Sequence, residues 1–126
     1  MLADDTAMSI AALTCAVVDC ADPKALAAFY LQVIDAEVLF EDETYSFIGH
    51  RGQVNLAFQR VDGFAPPSWP GAAKQTHLDF RVPDIAAAEA ALLAIGATKP
   101  EFQPGDETWT VLIDPAGHPF CITASW

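Results

Sequence analysis

The residues best suited to chemistry in this sequence are a histidine and an aspartate two positions apart, in His77-Leu-Asp79. Residues i and i+2 of an extended strand project from the same face, so the imidazole and the carboxylate should be neighbours. A histidine beside a carboxylate is suited to general acid–base catalysis near neutral pH. The alternative is a structural histidine that is hydrogen-bonded inside the fold, and this is the more common arrangement.

Three cysteines are the other candidates for chemistry: Cys15, Cys20 and Cys121. Cys15 and Cys20 lie on one predicted strand and five positions apart, which directs them to opposite faces and argues against a disulfide between them. Cys15 or Cys121 could supply a thiolate, but reactivity depends on a lowered pKa and on access, which a sequence does not reveal. The sequence therefore assigns neither as a nucleophile.

Aromatic residues provide candidate ligand contacts. Trp109 alternates with Val111 and Ile113 on a predicted strand, and its indole offers apolar area and an N–H donor to a flat ligand. Plain packing would explain Trp109 equally well. The segment 62–71 is rich in proline and glycine yet carries Phe64 and Trp69, which either cover a sheet edge or form a lid over a ligand.

The elements that must position these residues come from an internal repeat. Residues 15–22 align with residues 77–84, and each segment reads as a strand that ends in an aspartate before an alanine-rich helix. Asp22 and Asp84 are predicted helix caps, and Pro23 suits a first helical position. The predicted helices span about 23–34 and 84–95, with Gly96 at the end of the second.

Short strands are predicted after each helix. They cover 37–40, 45–49 and 53–61 in the first half and 98–102, 108–114 and 119–123 in the second. Asp114-Pro-Ala-Gly117 has the residue preferences of a type I turn, which predicts a hairpin of the last two strands. The sequence therefore predicts two βαβββ modules, at about 9–61 and 75–126, joined by a linker at 62–74.

Strand alternation predicts one apolar and one mixed sheet face. The apolar set, which should meet the helices, is Ala16, Val18, Cys20, Leu78, Phe80, Val82, Phe120 and Ile122. The mixed set is Cys15, Val17, Asp19, His77, Asp79, Arg81, Cys121 and Thr123. Burying this mixture in a dry core would be costly, so it should face water or line a cavity.

Charge excludes some partners. Six basic residues against seventeen acidic ones give a formal charge of −11. Such a surface repels nucleic acid and anionic membranes. The acidic first residues do not resemble a secretory signal, and no apolar run approaches the ~20 residues of a membrane span. We expect a cytoplasmic protein.

Three segments carry a resemblance to a known superfamily: residues 13–30, His77-Leu-Asp-Phe-Arg-Val-Pro-Asp84, and Asp114-Pro-Ala-Gly-His-Pro-Phe-Cys-Ile122. In this order they resemble signatures of the vicinal-oxygen-chelate superfamily of glyoxalases, bleomycin-resistance proteins and dioxygenases. The resemblance implies a single α+β domain over residues 1–126. Its two βαβββ modules would form an open, curved, mixed-sheet barrel with the helices on its outer face.

The resemblance also indicates where metal-using members place their ligands. The matching positions here are Cys15, Leu56, His77 and Cys121. Leu56 has no donor atom, and the set lacks the oxygen and imidazole ligands of a hard metal ion. We therefore expect no metal, with a zinc or other divalent site through Cys15, His77 and Cys121 as the alternative.

These considerations predict a glyoxalase/bleomycin-resistance-like protein that binds a small organic molecule in a sheet cavity without a metal. If it is an enzyme, His77 and Asp79 would be catalytic. The predicted ligand-binding residues are Cys15, Val17, Leu56, Phe58, Trp69, Trp109 and Cys121. The alternatives are a metal-dependent lyase, isomerase or dioxygenase, and an accessory domain with no ligand. We expect a homodimer, with Trp126 at the subunit contact.

Overall fold

The structure is a computed structural model that describes residues 12–71 and 76–124. The chain is α+β and divides into two compact units, Met1–Phe64 and Ala65–Trp126. Trp126 lies outside the described residues, so its predicted role at a subunit contact stays a prediction. No helix within the described ranges is long and apolar enough to cross a membrane.

The first unit contains one helix and a four-stranded mixed sheet. Its elements are β1 (Cys15–Cys20), α1 (Pro23–Tyr30), β2 (Glu37–Glu41), β3 (Tyr45–Gly49) and β4 (Asn55–Arg60). The strand order is β1-β4-β3-β2. β1 runs parallel to β4, and the other pairs are antiparallel. The first strand of the unit therefore lies beside its last.

The second unit repeats this arrangement. Its elements are β5 (Leu78–Arg81), α2 (Ile85–Ala94), β6 (Trp109–Ile113) and β7 (Pro119–Thr123). The strand order is β5-β7-β6, with β5 parallel to β7 and β6 antiparallel to it. First and last strands are again parallel neighbours, which agrees with the internal repeat found in the sequence.

The strand predicted at 98–102 is reduced to a single bridge between Thr98 and Ile113. In an antiparallel ladder the next hydrogen-bonded pair would be Pro100 and Val111, but Pro100 has no N–H to donate. The side chain of Gln103 takes its place. Gln103 Nε2 donates to the Val111 carbonyl at 2.9 Å, and the Val111 N–H donates to Gln103 Oε1 at 2.9 Å. A side-chain amide thus replaces one residue of the missing strand.

Both helices begin at the predicted caps. Asp22 Oδ1 accepts from the Ala25 N–H at 3.2 Å, and Asp84 Oδ1 accepts from the Ala86 N–H at 3.0 Å. α1 ends at Tyr30 rather than near residue 34, because the chain tightens there into turns such as Val33 N–H to the Tyr30 carbonyl. Gly96 follows α2 with a φ of +120°, a conformation that glycine adopts without steric cost.

Each helix packs on its own sheet through apolar side chains. Phe29 and Tyr30 of α1 are 3% and 1% exposed, and the Tyr30 ring stacks on Phe58 with centroids 5.5 Å apart. In the second unit α2 contacts β7 and buries Leu92, which is 6% exposed. The predicted alternation holds on the first strand of each unit, where Cys20 is buried and Asp79 is exposed.

The predicted hairpin of β6 and β7 is present. The Gly117 N–H donates to the Asp114 carbonyl at 2.9 Å, and Asp114 Oδ1 accepts from the backbone N–H groups of Ala116 and His118. Gly117 has a φ of +98°, and a Cβ there would overlap Pro66. The proline-rich segment before β5 therefore passes directly over this turn.

Candidate functional site

The register of the second sheet brings the candidate site residues together. Asp79 on β5 is the pairing partner of Cys121 on β7, which in turn pairs with Val111 on β6. Paired residues of adjacent strands share a face, so these three side chains form a row across the sheet. Trp109 is two residues from Val111 and projects from the same face.

A cavity of about 520 Å³ lies in the second unit and includes this face. Its volume is in the range of ordinary small-molecule sites, roughly 300–1,000 Å³. It is lined by Trp69, His77, Asp79, Pro104, Thr108, Trp109, Val111, Pro119, Cys121 and Thr123. Five of the predicted site residues, Trp69, His77, Asp79, Trp109 and Cys121, are therefore in one cavity.

His77 and Asp79 are in contact, as strand alternation predicts. His77 Nε2 is 3.1 Å from Asp79 Oδ1, and the side chains are 39% and 49% exposed. A pair this exposed contributes about 0–1 kcal/mol to stability, so folding gains little from placing it there. The contact fixes the orientation of the imidazole ring at the cavity wall.

Cys121 adds a thiol to this pair. Its Sγ, one imidazole nitrogen of His77 and one carboxylate oxygen of Asp79 all lie within 4.8 Å of one another. Cys121 is only 8% exposed, and it lines the cavity. No disulfide joins any two of Cys15, Cys20 and Cys121. A thiol, an imidazole and a carboxylate are thus adjacent in one cavity.

Two tryptophans line the same cavity. The Trp69 indole N–H donates to the Phe102 carbonyl at 3.2 Å, which fixes this residue of the linker against the second unit. Trp109 is 37% exposed, and Gly105 lies so close to its ring that a Cβ at position 105 would overlap it. Phe64, the other aromatic residue of the linker, is not among the lining residues.

The other predicted ligand contacts, Cys15, Val17, Leu56 and Phe58, belong to the first unit. The prediction for Phe58 needs correction, because this side chain is fully buried and stacks on α1. Leu56 precedes it by two residues on β4 and projects from the same face. Cys15 is half-buried and Val17 is 51% exposed. Any role of Cys15, Val17 and Leu56 in binding stays a prediction.

Sequence reasoning missed the part of the wall that comes from the loop before β6. Pro104 and Thr108 lie in this loop, and β6 begins at Trp109 rather than at the predicted residue 108. Thr123 Oγ1 donates to the Thr108 carbonyl at 3.0 Å and so ties the loop to β7. The one sequence signal for this part of the wall was Gly105, four residues before Trp109. A Cβ at position 105 would overlap the Trp109 ring, so only glycine leaves space for it.

The residues do not fit the metal that the resemblance implies. Leu56 occupies one of the four ligand positions with a hydrocarbon side chain, and two others carry thiols that suit a hard ion poorly. Among the described residues His77, Asp79 and Cys121 are three possible donors, spread over up to 4.8 Å. Adjacent donors of a tetrahedral zinc ion lie roughly 3.4–3.8 Å apart, given its bond lengths. Cys15 belongs to the first unit, and the zinc alternative through Cys15, His77 and Cys121 stays a prediction.

Comparison with known proteins finds a matching family profile and several similar solved structures. The sequence profile of the glyoxalase-like domain matches residues 15–123. A glyoxalase family protein from Enterococcus faecalis has 25% identity and a TM-score of 0.67, over 92% of this chain and 99% of that one. A glyoxalase/bleomycin resistance protein/dioxygenase family enzyme from Burkholderia phytofirmans PsJN has 22% identity and a TM-score of 0.66, over 89% and 97%.

A third similar structure contains a ligand. It is the bleomycin-binding protein of Streptomyces verticillus complexed with copper(II)-bleomycin, with 17% identity and a TM-score of 0.55 over 94% of this chain and 100% of that one. At this identity the likeness shows a shared fold only. Among curated protein sequences, none matches the chain at a significant level.

Proposed function

Because the chain belongs to the glyoxalase-like domain family, we propose that it binds a small, planar organic molecule in the cavity of its second unit, without a metal ion. The bleomycin complex of a protein with this fold supports small-molecule binding. The observation that carries the proposal is the combination of two tryptophans with the His77, Asp79 and Cys121 cluster around one cavity.

The walls of the cavity favour a flat and partly apolar ligand. Indole faces stack on planar rings, and Trp69 and Trp109 both contribute to the lining. Val111, Pro104 and Pro119 add apolar surface. A few polar groups among apolar ones are typical of ligand sites, where they orient the bound molecule. Here the imidazole of His77 provides that orientation, and the carboxylate of Asp79 holds the imidazole through the 3.1 Å contact.

Binding alone and turnover place different demands on His77. In a binder the imidazole needs only to donate or accept one hydrogen bond from the ligand. In an enzyme it would transfer a proton, with Asp79 holding the ring through the 3.1 Å contact. Product analysis after incubation with each bound compound separates the two cases, because a pure binder returns its ligand unchanged.

A thermal-shift screen tests the binding proposal. The compounds are bleomycin, flavones, naphthoquinones and thiol conjugates of dicarbonyls. A ligand at 100 times its dissociation constant stabilises the folded state by about 2.7 kcal/mol. For a domain of this size that raises the melting temperature by roughly 8–12 °C. If none of these compounds shifts the midpoint, the reading of the chain as an accessory domain gains support.

Matched variants locate the binding. Trp109→Ala should weaken the binding of a planar ligand by about 1–3 kcal/mol, because one stacking face is lost. Phe40→Ala removes another exposed aromatic side chain, 53% exposed on β2 of the first unit, and should leave affinity unchanged. Equal losses in both variants would count against the cavity as the binding site.

Two further measurements address the metal and the assembly. Elemental analysis of protein purified without added metal should find far less than one equivalent of zinc, nickel, iron or manganese. Stoichiometric metal would instead favour the metal-dependent lyase, isomerase or dioxygenase. We also propose a homodimer, for which light scattering should give twice the 13.5 kDa of the chain.

A further inference from the structure

We propose that Cys121 is a nucleophile that captures soft, conjugated electrophiles, such as quinones and other α,β-unsaturated carbonyl compounds, by forming a thioether with them in the cavity. This inference rests on the binding function proposed above and adds the ligand class and the bond formed. His77 is the base that receives the thiol proton, and Asp79 is a positioning residue for the imidazole.

The geometry of the cluster supports these roles. A nucleophile, a base within reach and a third group that orients the base form the usual arrangement of covalent catalysis. Here the thiol and the imidazole are within 4.8 Å, and the carboxylate is 3.1 Å from His77 Nε2. Such contacts are often longer before the ligand binds and shorten in the complex.

The sheet holds Asp79 and Cys121 in place, and His77 directly precedes β5. Asp79 and Cys121 are register partners on the adjacent parallel strands β5 and β7, so backbone hydrogen bonds fix their separation. His77 is two residues from Asp79 and projects from the same side. Sites built on strands hold their geometry more precisely than sites on loops. The juxtaposition is thus a property of the fold.

The cavity favours a planar conjugated electrophile. Trp69 and Trp109 offer indole faces to a flat ring, and Val111, Pro104 and Pro119 provide an apolar wall. Conjugate addition to such a ring needs one sulfur nucleophile and one proton carrier. The cluster provides both, and no further reactant is required.

The bonds and protons balance in the proposed step. The thiol proton of Cys121 moves to Nδ1 of His77, because Nε2 donates to Asp79 Oδ1, and a sulfur electron pair forms a bond to the β-carbon of the ligand. The π electrons of the carbon–carbon double bond shift toward the carbonyl and give an enolate. The imidazolium then returns the proton to the ligand, so the S–H and C=C bonds are replaced by S–C and C–H or O–H bonds.

The other two cysteines provide an internal comparison. Cys20 is 1% exposed, and its thiol is 3.6 Å from the Gln59 carbonyl. Cys15 is half-buried and therefore more accessible than Cys121. Exposure alone predicts the fastest modification at Cys15, whereas an activated thiol in a binding cavity predicts it at Cys121. The order of reaction separates the two explanations within one unmodified chain.

The experiment treats the full chain with 1,4-naphthoquinone without oxygen, so that the adduct is not reoxidised. Intact mass spectrometry and peptide mapping follow each thiol over time at several quinone concentrations. We expect a mass increase of one quinone, on Cys121, about tenfold or more faster than at Cys15. The rate at Cys121 should saturate with quinone concentration, because binding precedes the reaction.

Variants assign the two supporting residues. His77→Gln should slow labelling of Cys121 by about 100-fold, the lower range for loss of a general base. The matched control is His50→Gln in the first unit, where His50 Nε2 lies 3.0 Å from the Asp35 carbonyl, and the rate should not change. Asp79→Asn should lower the limiting rate about tenfold without changing the half-saturating concentration, which separates positioning from binding.

Three results would overturn the inference: faster labelling of Cys15, an unchanged rate in His77→Gln, or a stoichiometric zinc ion that blocks Cys121 until a chelator removes it. The Cys121→Ser chain separates failure of this inference from failure of the proposed function. If that chain still binds the quinone while the unmodified protein forms no adduct, only the covalent step is wrong. If it binds neither the quinone nor any compound of the screen, both proposals fail.

Discussion

Gln103 is predicted to be one of the most stabilising polar residues of the second unit, and Gln103→Ala tests this. The substitution removes two donated hydrogen bonds from Nε2, to the carbonyls of Pro100 and Val111, and one accepted from the Val111 N–H. Val111 is 1% exposed, so water cannot reach the backbone groups left behind. The substituted chain would therefore contain two buried backbone groups without partners.

The cost follows from those two groups. Each buried group without a hydrogen bond costs about 1–3 kcal/mol. We therefore expect the free energy of unfolding to fall by about 2–6 kcal/mol, and the melting temperature by roughly 6–25 °C. Gln103→Glu should be no better, because a carboxylate accepts from the Val111 N–H but cannot donate to either carbonyl.

Urea denaturation and amide hydrogen exchange measure the effect. The midpoint should fall without a change in slope, and the Val111 amide should exchange roughly a hundredfold faster. The control is Gln32→Ala, an exposed glutamine in the turn after α1, which should change stability by less than about 0.5 kcal/mol. An equally small change in Gln103→Ala, or an unaltered Val111 amide, would refute this reasoning.

Three other substitutions test the cavity and its supports. Gly105→Ala should displace the Trp109 ring and lower the free energy of unfolding by about 1–3 kcal/mol. The affinity for planar ligands should fall, and the nuclear magnetic resonance signal of the Trp109 indole should shift. An unshifted indole signal would contradict the close approach of Gly105 to the ring. Asp114→Ala should destabilise the β6–β7 turn by about 1–3 kcal/mol in urea denaturation, because its carboxylate is 4% exposed and accepts from two backbone N–H groups. Asp84→Ala should cost about 1 kcal/mol through loss of the α2 cap, and a neutral effect by thermal unfolding would argue against that cap.

Features that depend only on residues close together in the sequence were predicted from local sequence patterns. Asp22 with Pro23 and Asp84 mark helix starts, because capping involves only residues one turn apart. The contact of His77 with Asp79 likewise follows from alternation along one strand. The repeat predicted two similar units, and in both of them the first strand runs parallel to the last.

Features that depend on neighbouring strands were not predictable in this way. The strand at 98–102 is lost because Pro100 cannot pair with Val111, which requires knowing the partner strand. Phe58 was predicted as a ligand contact, but it and Ala57 are both fully buried on the central strand β4, where alternation carries no signal. The approach of Cys121 to Asp79 depends on the register between β5 and β7.

Nuclear magnetic resonance of the Cys121→Ser chain titrated with 1,4-naphthoquinone tests the binding cavity most directly. We predict saturable shifts of the indole N–H signals of Trp69 and Trp109, together with backbone amides of β5 and β7. The serine prevents covalent reaction at position 121, so the shifts report reversible binding. Shifts confined to the first unit, or none that saturate, would contradict the proposed site.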